Sequence, residues 1–270
     1  MTVDKTKAFV LQATPYRESS CLVYLYSERH GLVHGIAKGV RGKKAGQFCL
    51  ERGFLVELLL YTKPHRELHT IAGVSVVGFY PGIRTNLYKN AIRDVAFEVI
   101  MKSMSTDAPH SDVFIYLSNF LSSMERLPPH RCFPAMAWRF LYDFSSLMGF
   151  GPNIETCAKC GAPLAAMPGA HLQLESGTLQ CSGCSARPPS GGNFVPASVL
   201  ASLSEPFDSD PLEERRISVA DACRIIHLFV RFCMYHFQTR SEFKSIDFLD
   251  SLFAQPMREN VRPVAGCVSR

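Results

Sequence analysis

The spacing of hydrophobic residues changes near Pro81, and this change constrains the fold more than any other feature of the chain. Before it, apolar residues fall in short runs separated by turn residues, a pattern typical of β-strands. The runs cover 8–11, 21–26, 32–37, 54–61, 68–71 and 74–79. Five or six short strands in the first 80 residues favour a small closed barrel over an open sheet, because closure leaves no exposed strand edge.

After Pro81 the apolar residues follow helical spacing. One amphipathic helix is predicted by residues four apart, Leu87, Ala91, Val95 and Val99. Further helices are predicted over 112–124, 133–147, 196–203 and 218–236. Ser111 is the expected N-cap of the first of these, and Ser218 begins a sequence that resembles a capping box.

A stretch rich in Gly, Pro, Ser and Ala interrupts this helical pattern from residue 157 to about 193. We therefore predict an α+β multidomain protein, with an N-terminal β-barrel and an α-helical bundle domain that carries an insert. The expected boundaries are 1–80 for the barrel, 81–152 and 194–256 for the helical domain, 153–193 for the insert and 257–270 for a flexible tail.

The insert contains two C-x-x-C pairs, Cys157 with Cys160 and Cys181 with Cys184, separated by 20 residues. Four thiolates at this spacing can surround one zinc ion tetrahedrally. A redox C-x-x-C is the competing interpretation, but it needs one pair at a helix start in a thioredoxin-like setting. We predict one structural zinc ion, since four cysteines leave no coordination position for a water or substrate.

The net charge of +5 lies entirely in the first 80 residues, which carry 11 Lys and Arg against 6 Asp and Glu. Much of it lies in the glycine-punctuated stretch 38–44. Clustered cations favour a polyanion partner, because phosphate neutralisation releases condensed counterions. A mildly basic surface without a ligand explains the charge equally well, so both interpretations stay open.

A small barrel that binds single strands combines cations with aromatic stacking platforms. The candidate DNA-binding cations are Arg17, Lys38, Arg41, Lys43, Lys44, Lys63 and Arg66, and the candidate platforms are Tyr16, Tyr24, Tyr26 and Tyr61. Strand alternation places Tyr24 and Tyr26 on one face. The sequence leaves open whether that face is inner or outer, and core burial is the favoured interpretation.

The sequence offers little support for catalysis. It lacks H-E-x-x-H and the combination of H-x-E with a later P-C-x-x-C, and the stretch 39–44 does not have Walker A spacing. We predict no catalytic residues and no enzymatic activity. With no secretory leader and no uncharged apolar run of roughly 20 residues, we expect an intracellular protein without a membrane partner.

Three parts of the chain resemble the RecO family of bacterial recombination mediators. The first comprises 16–20, 22–31 and 35–41; the second, 148–161, leads into the cysteine pairs; the third comprises Arg231, His236, Arg240 and 244–249. The matches follow the family's order and cover nearly the whole chain.

The resemblance implies an OB-fold barrel and a helical domain with an inserted zinc knuckle. It also implies binding of single- and double-stranded DNA, annealing of complementary strands, and work with RecR to load RecA onto strands coated by single-stranded DNA-binding protein. Lys38 and Arg41 match basic positions of the family's barrel. Such a protein is cytoplasmic and associated with the nucleoid.

The resemblance further places the site for the acidic, Phe-terminated tail of single-stranded DNA-binding protein in the helical domain, and RecR on the barrel. Arg131, Arg139 and Arg231 are candidate rim cations, although a solvated helix face explains them equally well. The chain departs from the family at 237–239, where a Leu-Gly-containing turn is usual, so we expect a helix extension or an altered cap. Some family members lack the cysteines, which favours a structural zinc.

Two other function classes stay open: an adaptor that is stapled by zinc and docks acidic proteins, and a polynucleotide-processing enzyme. The lack of clustered carboxylates or nucleophile–base pairs disfavours the enzyme.

Overall fold

A computed structural model describes residues 2–40, 50–62, 67–106, 108–127, 135–185, 192–204, 218–239 and 242–254. Within these ranges the chain forms eight strands and seven α-helices. None of the described helices combines the length and the apolar character that a membrane span needs.

The first five strands form a sheet that closes on itself. They are β1 (Thr2–Tyr16), β2 (Ser20–Ser27), β3 (Gly31–Ala37), β4 (Leu55–Thr62) and β5 (Leu68–Gly78). In the order β1-β2-β3-β5-β4, each strand is hydrogen bonded to two others, and only β3 and β5 are parallel. The two runs predicted over 68–71 and 74–79 form the single strand β5, with Gly73 at a φ of 56° beside an irregularity in its pairing with β4.

The two faces of the barrel belong to different hydrophobic cores. Its interior is filled by alternate strand residues such as Val23, Leu25 and Val56. On the outer face, Phe9, Tyr26 and other apolar residues join the core of the helical region. Phe9 lies 5.3 Å from Phe114 between ring centroids, so one side of the barrel is packed under helices.

The helices surround a second, larger core. They are α1 (Pro81–Thr85), α2 (Leu87–Ser103), α3 (Ser111–Arg126), α4 (Ala135–Leu147), α5 (Ala197–Ser204), α6 (Val219–His236) and α7 (Lys244–Ala254). The helix α2 packs against α1, α4 and α7, and α4 packs against α6. The periodicity that predicted α2 holds except at Leu87, which is 54% exposed.

The predicted helix caps had different outcomes. Ser218 is confirmed as the N-cap of α6, because its Oγ accepts a hydrogen bond from the Asp221 N–H at 3.1 Å. Ser111 was wrong as the N-cap of α3: that position belongs to His110, and no side chain caps it. At the other end of α6, Gln238 has a φ of 53°, so the departure at 237–239 is an altered cap.

Side chains distant in sequence satisfy several helix ends. Glu125 of α3 accepts hydrogen bonds from the N–H groups of Gly82 and Ile83 in α1, at 2.7 and 2.8 Å. Lys89 of α2 is buried and donates to the carbonyls of Glu125 and Leu127 at the end of α3, at 3.1 and 2.6 Å. Glu98 of α2 caps α7 by accepting from the N–H groups of Lys244 and Ser245. These contacts fix the helices relative to one another.

The insert between α4 and α5 contains a small antiparallel sheet. Its strands are β6 (Gly169–Gln173), β7 (Thr178–Cys181) and β8 (Phe194–Pro196), in the order β7-β6-β8. Its buried residues, such as Leu172, Leu179 and Val195, belong to the helical core. The described part of the insert thus shares the core of the helices.

Candidate metal centre and nucleic-acid surface

The four cysteines of the insert converge on one point. Their sulfur atoms all lie within 4.8 Å of one another. The Sγ atoms of Cys160 and Cys181 are 3.8 Å apart. A tetrahedral zinc site with Zn–S bonds of about 2.3 Å has sulfur–sulfur edges of about 3.8 Å. The cluster therefore fits a single tetrahedral metal ion.

Backbone hydrogen bonds hold both cysteine pairs in tight turns. In the first pair, the Gly161 N–H donates to the Cys157 carbonyl at 2.9 Å, with Gly161 at a φ of 71°. In the second, the Cys184 N–H donates to the Cys181 carbonyl at 3.0 Å. The Cys181 N–H also donates to the Cys157 sulfur at 3.3 Å, which joins the two turns. The sulfurs are positioned by the fold as well as by any bound ion.

The electrostatics of the four thiols are unequal. The hydrogen bond from the Cys181 N–H lowers the pKa of the Cys157 thiol to about 6. Hydrogen bonds with the thiols of Cys160 and Cys181 raise the pKa of Cys184 to about 12. Four thiolates this close repel one another, so a divalent cation is what allows all of them to ionise together.

Arg17 and Lys38 lie at the same end of three barrel strands. Arg17 follows β1 and Lys38 follows β3, and the register pairs Tyr16 with Ser20 and Cys21 with Ala37. Both cations are exposed. The other five predicted DNA-binding residues, Arg41, Lys43, Lys44, Lys63 and Arg66, lie outside the described residues.

The tyrosine face of β2 is the outer face of the barrel. Tyr26 is fully buried in the helical core, and its hydroxyl donates to the His110 carbonyl at 3.2 Å. Tyr24 is half-buried and stacks on His34 of β3 at 4.3 Å between centroids. Core burial therefore holds for Tyr26 only, while Tyr24 borders the surface. No sequence pattern indicated His34 as the partner of Tyr24, because that contact depends on the register of β2 and β3.

The Arg17 guanidinium lies over the ring of the half-buried Tyr16, 5.2 Å from its centroid. Tyr61, at the end of β4, is also half-buried. Tyr16 is thus a predicted platform in contact with one of the two described predicted cations.

A groove of about 850 Å³ opens between α3 and α4 in the helical region. Tyr116, Arg126, Tyr142 and Leu147 contribute to its lining. At its wall, Asp143 accepts from the Tyr116 hydroxyl at 2.9 Å and from Arg139 Nε at 2.7 Å. Burial raises the pKa of Asp143, although Arg139 acts in the opposite direction.

The three candidate rim cations differ in position. Arg139 lines the groove but is engaged with Asp143 and with the Ser202 carbonyl. Arg231 donates to the carbonyl of Gly192, near the end of the insert, at 3.0 Å. Arg131 lies outside the described residues. The exposed cation Arg126 also lines the groove, and the sequence did not single it out.

Comparison with known protein families assigns both halves of the chain. Residues 1–80 match the family model for the N-terminal part of recombination protein O, and residues 84–241 match the model for its C-terminal part. The chain belongs to the RecO family. RecO proteins act in DNA repair and recombination and are mediators rather than a class of catalysts, which agrees with the resemblance of the sequence.

Curated relatives carry the name DNA repair protein RecO. One from Geobacter metallireducens is 31% identical over 186 residues, covering 68% of this chain and 73% of the relative. Another, from Prosthecochloris aestuarii, is 27% identical over 246 residues, covering 86% and 91%. A third, from Anaeromyxobacter dehalogenans, is 29% identical over 182 residues, covering 67% and 70%. The similarity to RecO proteins thus extends over most of both chains.

Proposed function

We propose that this protein is a cytoplasmic, nucleoid-associated recombination mediator without catalytic activity. It binds single- and double-stranded DNA, anneals complementary strands and, with RecR, helps to load RecA onto strands coated by single-stranded DNA-binding protein. Membership of the RecO family supports the proposal. The structural observation that carries it is the position of Arg17 and Lys38, exposed at one end of the closed barrel.

The barrel supplies the surface that annealing needs. We propose that it is an OB-fold, a five-stranded barrel whose β2–β3 face and β1–β2 loop bind oligonucleotides in many proteins. Here that face carries Tyr24 and His34, and that loop carries Arg17. Contacts to phosphates lower the repulsion between two strands and leave the base edges free to pair.

The deciding experiment follows duplex formation from complementary oligonucleotides without nucleoside triphosphate. The wild-type protein should accelerate annealing, and Lys38→Glu with Arg41→Glu should abolish the acceleration without unfolding the protein. Lys5→Ala is the control, because Lys5 is exposed in the same barrel and paired with Glu57 at 2.6 Å. Annealing at the wild-type rate by the Lys38 and Arg41 variant would move the DNA site elsewhere. A wild-type protein without effect would favour the adaptor, and altered strands would favour an enzyme.

Salt dependence tests the electrostatic part of the proposal. If about 4 to 6 phosphates are neutralised, log affinity for single strands should fall against log salt with a slope of roughly −3 to −4. The measurement is fluorescence anisotropy of a labelled oligonucleotide over a range of salt concentrations. A flat response would contradict binding through phosphates.

We propose one structural zinc ion at Cys157, Cys160, Cys181 and Cys184. Thiolates select zinc over magnesium or calcium, and the sulfur spacing fits its bond length. When bound, zinc would hold the two turns of the insert together. The four cysteines would bind and orient it and take no part in a reaction.

The groove between α3 and α4 is our proposed site for the tail of single-stranded DNA-binding protein. It combines apolar walls at Phe120 and Leu203 with Arg126 for an acidic, Phe-terminated peptide. Arg126→Glu should weaken binding of a labelled tail peptide by about tenfold, since it reverses the charge opposite the acidic peptide. RecR is proposed to contact the barrel.

A further inference from the structure

A second cluster of cations lies where the barrel meets the first helices. Arg52, just before β4, Arg84 in α1 and Arg93 in α2 surround a crevice with Phe54 and Tyr80. The side chains of Arg52 and Arg84 are 37% and 56% exposed. Two guanidiniums of the cluster are therefore accessible to a ligand.

The cluster retains positive charge after its ion pairs are counted. Asp94 forms ion pairs with two arginines. It accepts hydrogen bonds from Arg93 Nε and Nη2 at 2.9 and 2.7 Å, and it lies 3.2 Å from the Arg52 guanidinium. Arg84 pairs with Glu51 at 2.5 Å. The three arginines thus pair with two carboxylates. Glu98 also acts on Arg52, but it is itself paired with Lys102 at 2.8 Å. A guanidinium has five N–H donors and one carboxylate uses at most two, so the accessible arginines retain donors for phosphate oxygens.

Aromatic rings continue the surface beside these cations. The Arg84 guanidinium lies over the Phe54 ring, 5.8 Å from its centroid. Phe54 in turn lies 6.2 Å from Phe79, whose exposed fraction is 58%. The exposed Phe79 thus lies beside a ring that an Arg covers, and it offers a ring face to a planar apolar group.

The size of the crevice decides what kind of ligand fits. Its volume is about 10 Å³, roughly the space of a single water molecule. A ligand must therefore lie across the surface instead of entering a pocket. The ligand should offer anionic groups to the arginines and planar groups to Phe79, both repeated along one extended chain. Single-stranded nucleic acid has this chemistry.

This patch lies at a different position along β1 from the Arg17 and Lys38 end of the barrel. The Gly53 N–H donates to the Val10 carbonyl at 2.8 Å, which places the patch beside the middle of β1. Arg17 follows seven residues later, at most about 23 Å away along a strand that rises about 3.3 Å per residue. The two cationic sites can therefore contact different strands or different segments of one strand.

We propose that Arg52, Arg84 and Phe79 form a second contact site for single-stranded nucleic acid, so that annealing uses one strand at each site. Arg93 and Asp94 hold Arg52 in place. The inference rests on the proposed DNA-binding function and adds to it the division of two strands between two surfaces.

The test counts oligonucleotides bound by the full chain. Oligothymidylates of about eight nucleotides are short enough to occupy one site each. The wild-type protein and the Lys5→Ala control should bind two. Phe79→Ala with Arg84→Ala should leave one bound and slow annealing about tenfold, the size of one lost base stack. Lys38→Glu should likewise leave one bound, because it reverses a charge at the other site.

Crosslinking of the unaltered protein makes the test independent of variant folding. An oligonucleotide with iododeoxyuridine, irradiated in the complex, should attach to Phe79 or Phe54 as well as near Tyr24. The second site would be overturned if neither Phe were crosslinked. It would also be overturned if the Phe79 and Arg84 variant still bound two oligonucleotides and annealed strands at the wild-type rate. The second site would also be overturned if the Phe79 and Arg84 variant lost binding of polyglutamate, a mimic of an acidic protein, but still bound DNA. A wild-type protein that binds no oligonucleotide would reject the proposed function itself, which separates the two failures.

Discussion

The barrel and the cysteine insert are both small β-structures, but they are stabilised differently. The barrel interior is a core of its own, with Leu25 and Val56 almost completely buried. The buried residues of the insert's sheet, such as Leu172 and Leu179, are part of the helical core. A sheet of three short strands buries too little apolar surface to be stable alone. A metal centre is therefore expected in the insert and unnecessary in the barrel.

Removing the metal should have the largest effect and should be confined to one side of this comparison. Cys157→Ser with Cys181→Ser should eliminate binding of the proposed zinc and lower the free energy of unfolding of the helical region by about 5 kcal/mol or more. Trp138, the single Trp of the sequence, lies buried in α4 and reports on this region by fluorescence. Elemental analysis and urea unfolding check the prediction. Amide exchange in β2 of this variant should remain slow. If the urea transition reported by Trp138 were unchanged, the metal would be dispensable for the fold.

A matched pair of truncations should separate the two cores. Leu25→Ala in the barrel and Leu172→Ala in the insert each remove the same atoms from a site that is at most 1% exposed. Each truncation should lower the free energy of unfolding by about 2 to 5 kcal/mol. Leu172→Ala should shift the Trp138 transition to lower urea, whereas Leu25→Ala should mainly accelerate amide exchange in β2 and β3. Equal shifts of the Trp138 transition would mean that the cores unfold as one unit.

The cap of α7 extends the comparison to a region held by charge. Burial alone raises the pKa of Glu98, but hydrogen bonds from Lys102 and Ser245 outweigh it, and the pKa lies below the ordinary value of 4.5. The stabilisation that ionised Glu98 gives to the folded protein is therefore complete above about pH 4.5 and is lost as the pH falls through the lowered pKa of Glu98. Glu98→Gln should lower the free energy of unfolding by about 1.5 to 3 kcal/mol at pH 7. In a pH titration of stability, the variant should also lose less stability than the wild-type protein at acidic pH, the acid limb of the titration. Asp247→Asn, in the first turn of α7, is the control and should retain that limb.

The smallest effect is expected at the end of α6. The Thr239 N–H donates to the Met234 carbonyl and the Gln238 N–H to the Tyr235 carbonyl, which is the Schellman pattern with Gln238 in the left-handed position. Glycine adopts this conformation without steric strain, so Gln238→Gly should stabilise the protein by about 0.5 to 1 kcal/mol. Gln238→Ala keeps the strain and should give no gain. Thermal unfolding of the two variants decides the point.

Features set by local spacing could be predicted from the sequence. Within each C-x-x-C pair, a turn closed by its own backbone hydrogen bonds, as at Gly161, brings the two sulfurs close together. Alternation correctly placed Tyr24 and Tyr26 on one face of β2. Which face that is depends on α3 packing over Tyr26, and no local pattern carries that information.

Features set by distant contacts could not be predicted. Lys89 lies outside the row of apolar residues four apart in α2, yet it is buried because the end of α3 supplies carbonyl acceptors 36 and 38 residues away. Arg52, Arg84 and Arg93 are separate in the sequence and meet only through the junction of barrel and helices. Individual basic residues carry no sign of such convergence.

The capping of α7 by Glu98 also bears on how the chain is made. The carboxylate and the helix that it caps are 146 residues apart, and α7 is the last described element. A ribosome must therefore release the chain as far as α7 before α2 acquires this neighbour. Until then the side of α2 that receives α7 stays open to chaperones or to aggregation, so translation that stops before residue 244 should yield a product with exposed apolar surface.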